Sequence, residues 1–398
     1  MVGAGPAGSA AALSALRVRP GASVLLLDRA DFPRDKSCGD GIAPQVLDVL
    51  TALGLGGLVD DFAPVSTLSI GYPPGVGEAA SGSMARPARV VPREVLDARL
   101  VAGARAAGAV LRRHTVRRVD VRPDRVVLDG DLCARTVVAA DGAGSTLRRG
   151  LGLAPNGPGH VAVAVRGYAP VRADLREEQR ITLGRADWPE YAWSFPIGDG
   201  RANIGYGAVL REGRPLSRSL LLRRLEDLLP GVSHDARSWR AHHLPLSSSR
   251  PRQPDGRVLL VGDALSLVNP MTGEGIYYAV LSGACAGAAA VGGTGGLRGA
   301  VGGDPGAASG GPGAASGDPA AGGDPGAAYR RDLGRRLGRH LRHTSTAAVL
   351  ARRPWVVDGA LRGATRHAAA FDALVELGLG EGLLTPRALL ATAAGVRR

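Results

Sequence analysis

The sequence predicts an α/β protein in which a parallel-sheet domain is split by an inserted antiparallel sheet and followed by a helical C-terminal segment. Three observations predict it. Short apolar strands at residues 23–28, 137–140 and 258–261 each run into a turn that carries an acid, as do strands buried on both faces whose carboxyl ends form a site. From residue 161 to 246 apolar and polar residues tend to alternate, and helix signals thin out except at 219–229; this is the pattern of an antiparallel sheet. A return to parallel-type strands afterwards implies one domain built from separated segments.

The elements follow in order. The opening MVGAGPAGSAAALSALRVRPGASVLLLDRA reads as a glycine turn, a small-residue helix over 7–17 and a strand over 23–28. Gly3, Gly5 and Gly8 form G-x-G-x-x-G, and Asp28, followed by Arg29, lies twenty residues after Gly8. Glycines at a helix start let backbone approach a pyrophosphate, and an acid ending the second strand can accept ribose hydroxyls, so the unit is a Rossmann-type dinucleotide fingerprint. Only Met1 and Val2 precede Gly3. Two residues make no strand, so the expectation is either a start further upstream or a sheet without its central strand.

A helix over 93–107 leads to strands near 109–113 and 125–128. The run TVVAADGAGS sets Asp141-Gly142 after an apolar strand, and VGDALSLVNPMTGEGI sets Gly262-Asp263 after another, with Pro270 and Gly273-Glu274-Gly275 opening a helix. Backbone N–H groups at that helix start suit negative charge developing on a bound ring, with Asn269 and Thr272 as further hydrogen-bonding groups. Residues 292–328 are Gly, Ala, Pro, Asp and Ser with a repeated G-D-P-G-A-A unit, too poor in apolar side chains to order themselves. After them come about three helices, the first with Leu333, Leu337 and Leu341 at helical spacing, a stripe suited to packing on the nucleotide domain or to a membrane surface.

Composition narrows the classes. The 398 residues carry a net charge of +13, but the arginines are scattered without any nucleic-acid-binding signature, so no nucleic-acid partner is expected. Cys38, Cys133 and Cys285 are an odd number at no metal-like spacing, and no signal peptide precedes them, which points to a reducing cytoplasm. No apolar run reaches the roughly 20 residues that cross a bilayer, so any membrane association is peripheral. His242-His243 lacks a third ligand at usable spacing, and no metal is expected.

Two further stretches stand out. In YAWSFP, residues Tyr191, Trp193 and Phe195 alternate and share one strand face, followed by Pro196 and, after eight residues, Gly205-Tyr206-Gly207. In FPRDKSCGDG, Lys36 is the one lysine among 49 basic residues and sits two places before Cys38. A compact ammonium can be tuned in pKa where a guanidinium cannot.

Together, GAGPAG, ADGAGS and VGDALSLVNPMTGEGI over residues 2–282 resemble the flavoproteins that include aromatic hydroxylases and geranylgeranyl reductases. YAWSFP with G-Y-G resembles the Y-x-W-x-F-P-x(8)-G-x-G pattern of the reductases, and FPRDKSCG resembles their F-P-R-x-K-x-C-G segment. The resemblance implies FAD, with NADPH or NADH as electron donor. It implies a Rossmann-type FAD-binding domain from residues 1–62, 86–150 and 250–290, a substrate domain from 63–85 and 151–249, a linker over 291–328 and a helical region over 329–398. Gly3, Gly5, Gly8, Asp28 and Arg29 would hold the ADP portion, and Arg93 the flavin side chain. Asp141, Gly142, Gly262, Asp263, Pro270, Gly273, Glu274 and Gly275 would complete the cofactor site. Tyr191, Trp193, Phe195, Pro196, Gly205 and Gly207 would form the substrate wall for an isoprenoid, and Lys36 and Cys38 would be the catalytic candidates, the lysine steering an anion or favouring a Cys38 thiolate. The implied activity is reduction of isoprenoid C=C bonds. A hydroxylase or halogenase on the same scaffold and a flavin-free relative are the alternatives; halogenases tend to W-x-W-x-I-P where this chain has YAWSFP.

Overall fold

A computed structural model describes residues 1–185, 188–250, 252–293, 323–386, 389 and 392. In the first segment α1 (Pro6–Val18), β1 (Leu25–Asp28), β2 (Gly41–Ile42), α2 (Pro44–Ala52), β3 (Pro64–Gly71), β4 (Ala79–Val90) and α3 (Arg93–Ala106) are followed by β5 (Val110–Arg113), β6 (Val119–Val121), β7 (Val126–Leu128), β8 (Leu132–Ala134), β9 (Val137–Ala139) and α4 (Thr146–Gly150). Then come β10 (Val161–Pro170), β11 (Glu178–Leu183), β12 (Glu190–Pro196), β13 (Arg201–Val209), α5 (Arg218–Leu228), β14 (Arg237–Pro245), β15 (Val258–Leu260) and α6 (Ile276–Ala290). The chain closes with α7 (Pro325–Leu350), α8 (Pro354–Arg366) and α9 (Ala368–Leu379). The repeat-rich stretch lies mostly outside the described residues.

β1 pairs with β5 and β15 with β9, all parallel. Val2 joins the two pairs, bridging Leu27 on one side and Ala139 on the other. Its N–H donates to Val138 O at 2.9 Å and the Gly3 N–H to Leu27 O at 2.7 Å. The central strand that two residues seemed too few to supply is therefore present as a stub, held by ladder bonds on both edges. The loops after Val2, β1, β9 and β15 gather at one end of this sheet, where open parallel sheets hold their ligands.

Small residues fix the helices over it. A β-carbon at Gly283 would fall 2.1 Å from Ala7 O, and one at Gly287 would fall 2.1 Å from Ala11 O. Only glycine at both lets α6 lie against α1, and Ser14 Oγ donates to Ala284 O at 2.7 Å across the contact. The Leu333 and Leu337 stripe of α7 is buried in this same core with Tyr329, whose hydroxyl donates to Leu260 O at 3.0 Å. Packing on the nucleotide domain thus takes up those leucines.

The second sheet has eight strands in the order β14-β10-β13-β12-β11-β3-β4-β2. It is antiparallel except where β11 runs parallel to β3. Helix α5 covers one part with Leu221 and Leu225, while α8 and α9 cover β3, β4 and β11 with Val357, Leu361 and Phe371. These two helices bring the end of the chain back to the cavity between the sheets.

Candidate active site

Gly3 makes the turn that opens the site. Its φ is +96°, and a β-carbon there would lie 2.2 Å from Ala140 O. A side chain is excluded both by conformation and by space. Gly5 caps α1, and a β-carbon there would meet only side-chain ends at ordinary contact distance, a guanidinium nitrogen of Arg34 at 3.6 Å and one of Arg93 at 3.8 Å. Asp28 accepts from the Ala4 N–H at 2.8 Å and the Ala30 N–H at 2.9 Å, so the acid fixes the glycine turn as well as presenting its edge to the cavity.

A chain of charge runs beneath. Arg34 lies 3.8 Å from Asp28 and 3.0 Å from Asp97, and Arg93, the first residue of α3, grips Asp97 through two bonds of 2.7 and 2.8 Å. Sequence spacing placed Arg93 correctly at the helix start but gave no sign of Arg34 or Asp97, because pairing across separate segments leaves no periodic trace. Asp141 accepts from Thr146 N at 2.7 Å and Leu147 N at 3.2 Å, while its buried Oδ1 has no partner among the described residues.

Lys36 Nζ lies 3.6 Å from Asp263 Oδ2, and His242 Nε2 lies 3.9 Å from the same oxygen. Burial alone would raise the Asp263 carboxyl, but the charge of Lys36 and the His242 contact overcome it and hold Asp263 well below the usual carboxylate range. The lysine thus faces an acid at the end of β15. Burial pushes the Cys38 thiol above its ordinary value, the Arg93 guanidinium offsetting part of this and Asp40 adding to it. The surroundings favour the neutral thiol over the thiolate considered from sequence.

The loop before α6 departs from expectation in one respect. Asn269 donates to Leu377 O at 3.1 Å, and Thr272 Oγ1 donates to Gly378 O at 2.7 Å. Both side chains anchor the end of α9 instead of meeting a ring. Glu274 accepts from Tyr277 N at 2.8 Å, so its carboxylate caps α6, and burial raises it to about 7 against the pull of the backbone N–H groups.

Tyr191, Trp193 and Phe195 do share one face, with ring centroids 5.9 and 6.5 Å apart along the strand. The Tyr191 hydroxyl donates to Thr272 O, tying the wall to the α6 loop. Gly205 makes room for the Trp193 ring, since a β-carbon there would fall 2.2 Å from it. Gly39 lies against the wall, an added β-carbon being 3.5 Å from Phe195 and 3.6 Å from Trp193 Nε1. The Cys38 turn and the aromatic face therefore meet.

All of this surrounds one cavity of about 1120 Å³. Its nucleotide end is lined by Gly3, Gly5, Asp28, Arg29, Arg93, Asp141, Gly142 and Asp263, and Gly273, Glu274 and Gly275 lie beside Lys36 and Cys38 toward the middle. Its far end is lined by the aromatic trio, Leu68, Ile70 and Ile181, and by Phe371, Leu374 and Val375 of α9. Gly8, Pro196, Gly205, Gly207, Gly262 and Pro270 do not line it; the four glycines pack against residues that do, Gly8 on Gly3, Gly205 and Gly207 on Trp193 and Gly262 on Ala279. About three helices after residue 328 were legible from the sequence, but nothing in it showed that the last of them reaches this cavity. No cluster suited to a metal occurs among the described residues.

The residues present fit a flavin dinucleotide: a glycine turn that lines the cavity at Gly3 and Gly5, an unpartnered Asp141 oxygen and a cleft continuous from Asp28 to the aromatic wall. Comparison with known proteins agrees. Residues 1–186 match the FAD binding domain family. The chain is 37% identical over 308 residues to menaquinone reductase of Mycolicibacterium smegmatis, covering 71% of this chain and 73% of that one. It is 33% identical over 317 residues to digeranylgeranylglycerophospholipid reductase 1 of Methanopyrus kandleri, covering 73% and 79%. The crystal structure of a geranylgeranyl bacteriochlorophyll reductase-like protein from Thermoplasma acidophilum shares the fold, with a TM-score of 0.70 at 21% identity over 99% of this chain and 94% of that one.

Proposed function

Because this chain belongs to the geranylgeranyl reductase family of FAD-dependent oxidoreductases, we propose that it reduces C=C bonds in the isoprenoid tail of a lipid, with NADPH or NADH as electron donor. The observation that carries the reading is the continuity of the cavity, which passes from a dinucleotide cleft to a wall of aromatic and aliphatic side chains with Cys38 where the two meet. An isoprenoid offers little but apolar area, and each Å² removed from water contributes about 25 cal/mol. A prenylated quinone is the first substrate to test, since the relatives at 37% and 34% identity are named menaquinone reductase.

Bound flavin would supply hydride from its reduced N5. The chain's own residues do the rest. Gly3, Gly5 and Asp28 would hold the dinucleotide, with Arg93 and Asp263 as charged groups lining the same cleft. Trp193, Phe195 and Phe371 orient the tail and exclude water from the double bond. The Cys38 thiol gives its proton to the second alkene carbon as the new C–H bond forms, and regains one from solvent. Outside the cavity, Val349, Leu350 and Trp355 are exposed at the turn between α7 and α8 beside Arg352 and Arg353, which supports lipid contact at that corner. Among the described residues no helix is long and apolar enough to cross a membrane.

The test is an anaerobic assay with purified holoenzyme, reduced cofactor and a prenylated quinone or geranylgeranyl lipid, read by mass spectrometry. A gain of two hydrogens per affected bond is the expected result. An unchanged lipid under anaerobiosis, and an oxygenated product once air is admitted, would replace this reading with a hydroxylase.

A further inference from the structure

Between the thiol and the aromatic wall stands a carboxylate that the chemistry above does not use. Asp40 is 0% exposed and adopts a φ of 60°, a left-handed conformation that few residues other than Gly, Asn and Asp adopt. Its Oδ2 accepts from the Tyr168 hydroxyl at 2.5 Å and from Asn203 Nδ2 at 2.7 Å. Asn203 Nδ2 also donates to Cys38 O at 2.9 Å, and Asn203 Oδ1 accepts the Trp193 indole N–H at 2.8 Å. The Asp40 N–H donates to Cys38 Sγ at 3.3 Å. One buried node thus touches the thiol, the loop that carries it and the substrate wall.

Its other oxygen, Oδ1, is buried with no hydrogen-bond partner among the described residues. Leaving a carboxylate half-satisfied in the interior is costly. An amide oxygen would accept the same two bonds without the charge, so scaffolding alone does not account for an acid here. We infer that Asp40 is a positioning residue of the reduction, fixing the Cys38 thiol and the Trp193 ring in one geometry through Asn203 and keeping a negative charge beside the thiol. The inference rests on the proposed reaction for its purpose, and on the hydrogen bonds for its geometry.

The charged groups around it set the sign. Arg166 and Tyr168 approach from β10 and Arg93 from α3, while Glu274 faces the thiol from the α6 loop. Burial pushes Asp40 to about 6 against the pull of Tyr168, Arg166 and Asn203, so it is ionised at neutral pH. A negative neighbour disfavours a thiolate, which keeps Cys38 in the form a proton donor needs.

Asp40→Asn holoenzyme tests this, with iodoacetamide alkylation followed at Cys38 by residue-resolved mass spectrometry from about pH 6 to 10. The midpoint of the alkylation profile should move down, making labelling near pH 8 roughly threefold faster or more, because a thiolate no longer faces a carboxylate. In turnover, kcat should fall with KM nearly unchanged. An unmoved midpoint, or equal acceleration at every pH as a loosened loop would give, overturns the inference. The alkylation profile needs no prenyl substrate, so a shifted midpoint in an enzyme that reduces no prenyl lipid would sink the proposed reaction, and the role of Asp40 in it, while leaving the charge coupling of Asp40 to the Cys38 thiol standing. Should Asp40→Asn lose flavin, Asn203→Ala decides the matter: KM should rise with the Cys38 midpoint in place, and an unchanged KM overturns the link to Trp193.

Discussion

At its nucleotide end the cavity is bounded by the turn at Gly3, the edge of Asp28 and Arg93 in its pairing with Asp97. At its far end it is bounded by Trp193, Phe195, Ile70 and Ile181, and by Phe371 and Leu374 from near the end of the described chain. The first end works through backbone that must approach a ligand closely and through paired charge. The second works through side-chain area. Backbone sites tolerate almost no substitution, because a β-carbon at Gly3 meets a carbonyl oxygen that cannot move away. Apolar walls tolerate exchange of one hydrocarbon for another and lose affinity in proportion to the area removed.

The largest effect should come from Gly3→Val. Strain at positive φ and a 2.2 Å clash with Ala140 O together should yield protein without flavin, read as the ratio of flavin to protein absorbance. Retention of full flavin would break the contrast between the two ends. Trp193→Ala should do the opposite, keeping flavin while weakening prenyl binding about tenfold or more, as removal of a large aromatic surface implies. Steady-state KM for a prenylated quinone checks it, and unchanged KM would remove the wall from substrate binding. Replacing Cys38 by Ser should slow the alkene step about tenfold while flavin reduction by NAD(P)H keeps its rate, since only the proton source changes; stopped-flow traces of the two half-reactions separate them.

The smallest effect is on stability. Glu274 rises from an ordinary 4.5 to about 7 in the folded protein, and Asp40 rises to about 6. In that window the folded state binds more protons than the unfolded state, so their contribution is greatest at low pH and is lost as pH climbs through the folded values. Glu274→Gln should therefore flatten the fall in Tm between about pH 5 and pH 8, leaving the part due to Asp40. A slope equal to that of the unmutated protein would mean that Glu274 is solvated like an ordinary surface acid.

The same contrast explains what could be read from the sequence. Gly3 was legible from the glycine spacing before α1, and Asp28, Asp141 and Asp263 because each stands at or just after the end of an apolar strand, and parallel sheets gather such ends by topology. Tyr191, Trp193 and Phe195 were legible because strand alternation puts them on one face. Arg34, Asp97, Asp40, Asn203 and Tyr168 were not, since their partners lie on other elements and nothing local marks a hydrogen bond across them. The same holds for Asn269 and Thr272, whose side chains turned to the end of α9 once that helix packed beside them. The contact made by Val2 was illegible for a different reason: one residue bridging its neighbours on both sides leaves no strand pattern in the sequence.

Most direct for the central claim is a mass-spectrometric comparison of prenylated quinones and isoprenoid lipids from cells with and without this gene. Reduction of an isoprenoid tail predicts that one lipid in the deleted cells is lighter by two hydrogens for each affected bond, with its head group unchanged. Loss of an oxygenated or halogenated product with every prenyl tail unaltered would contradict it.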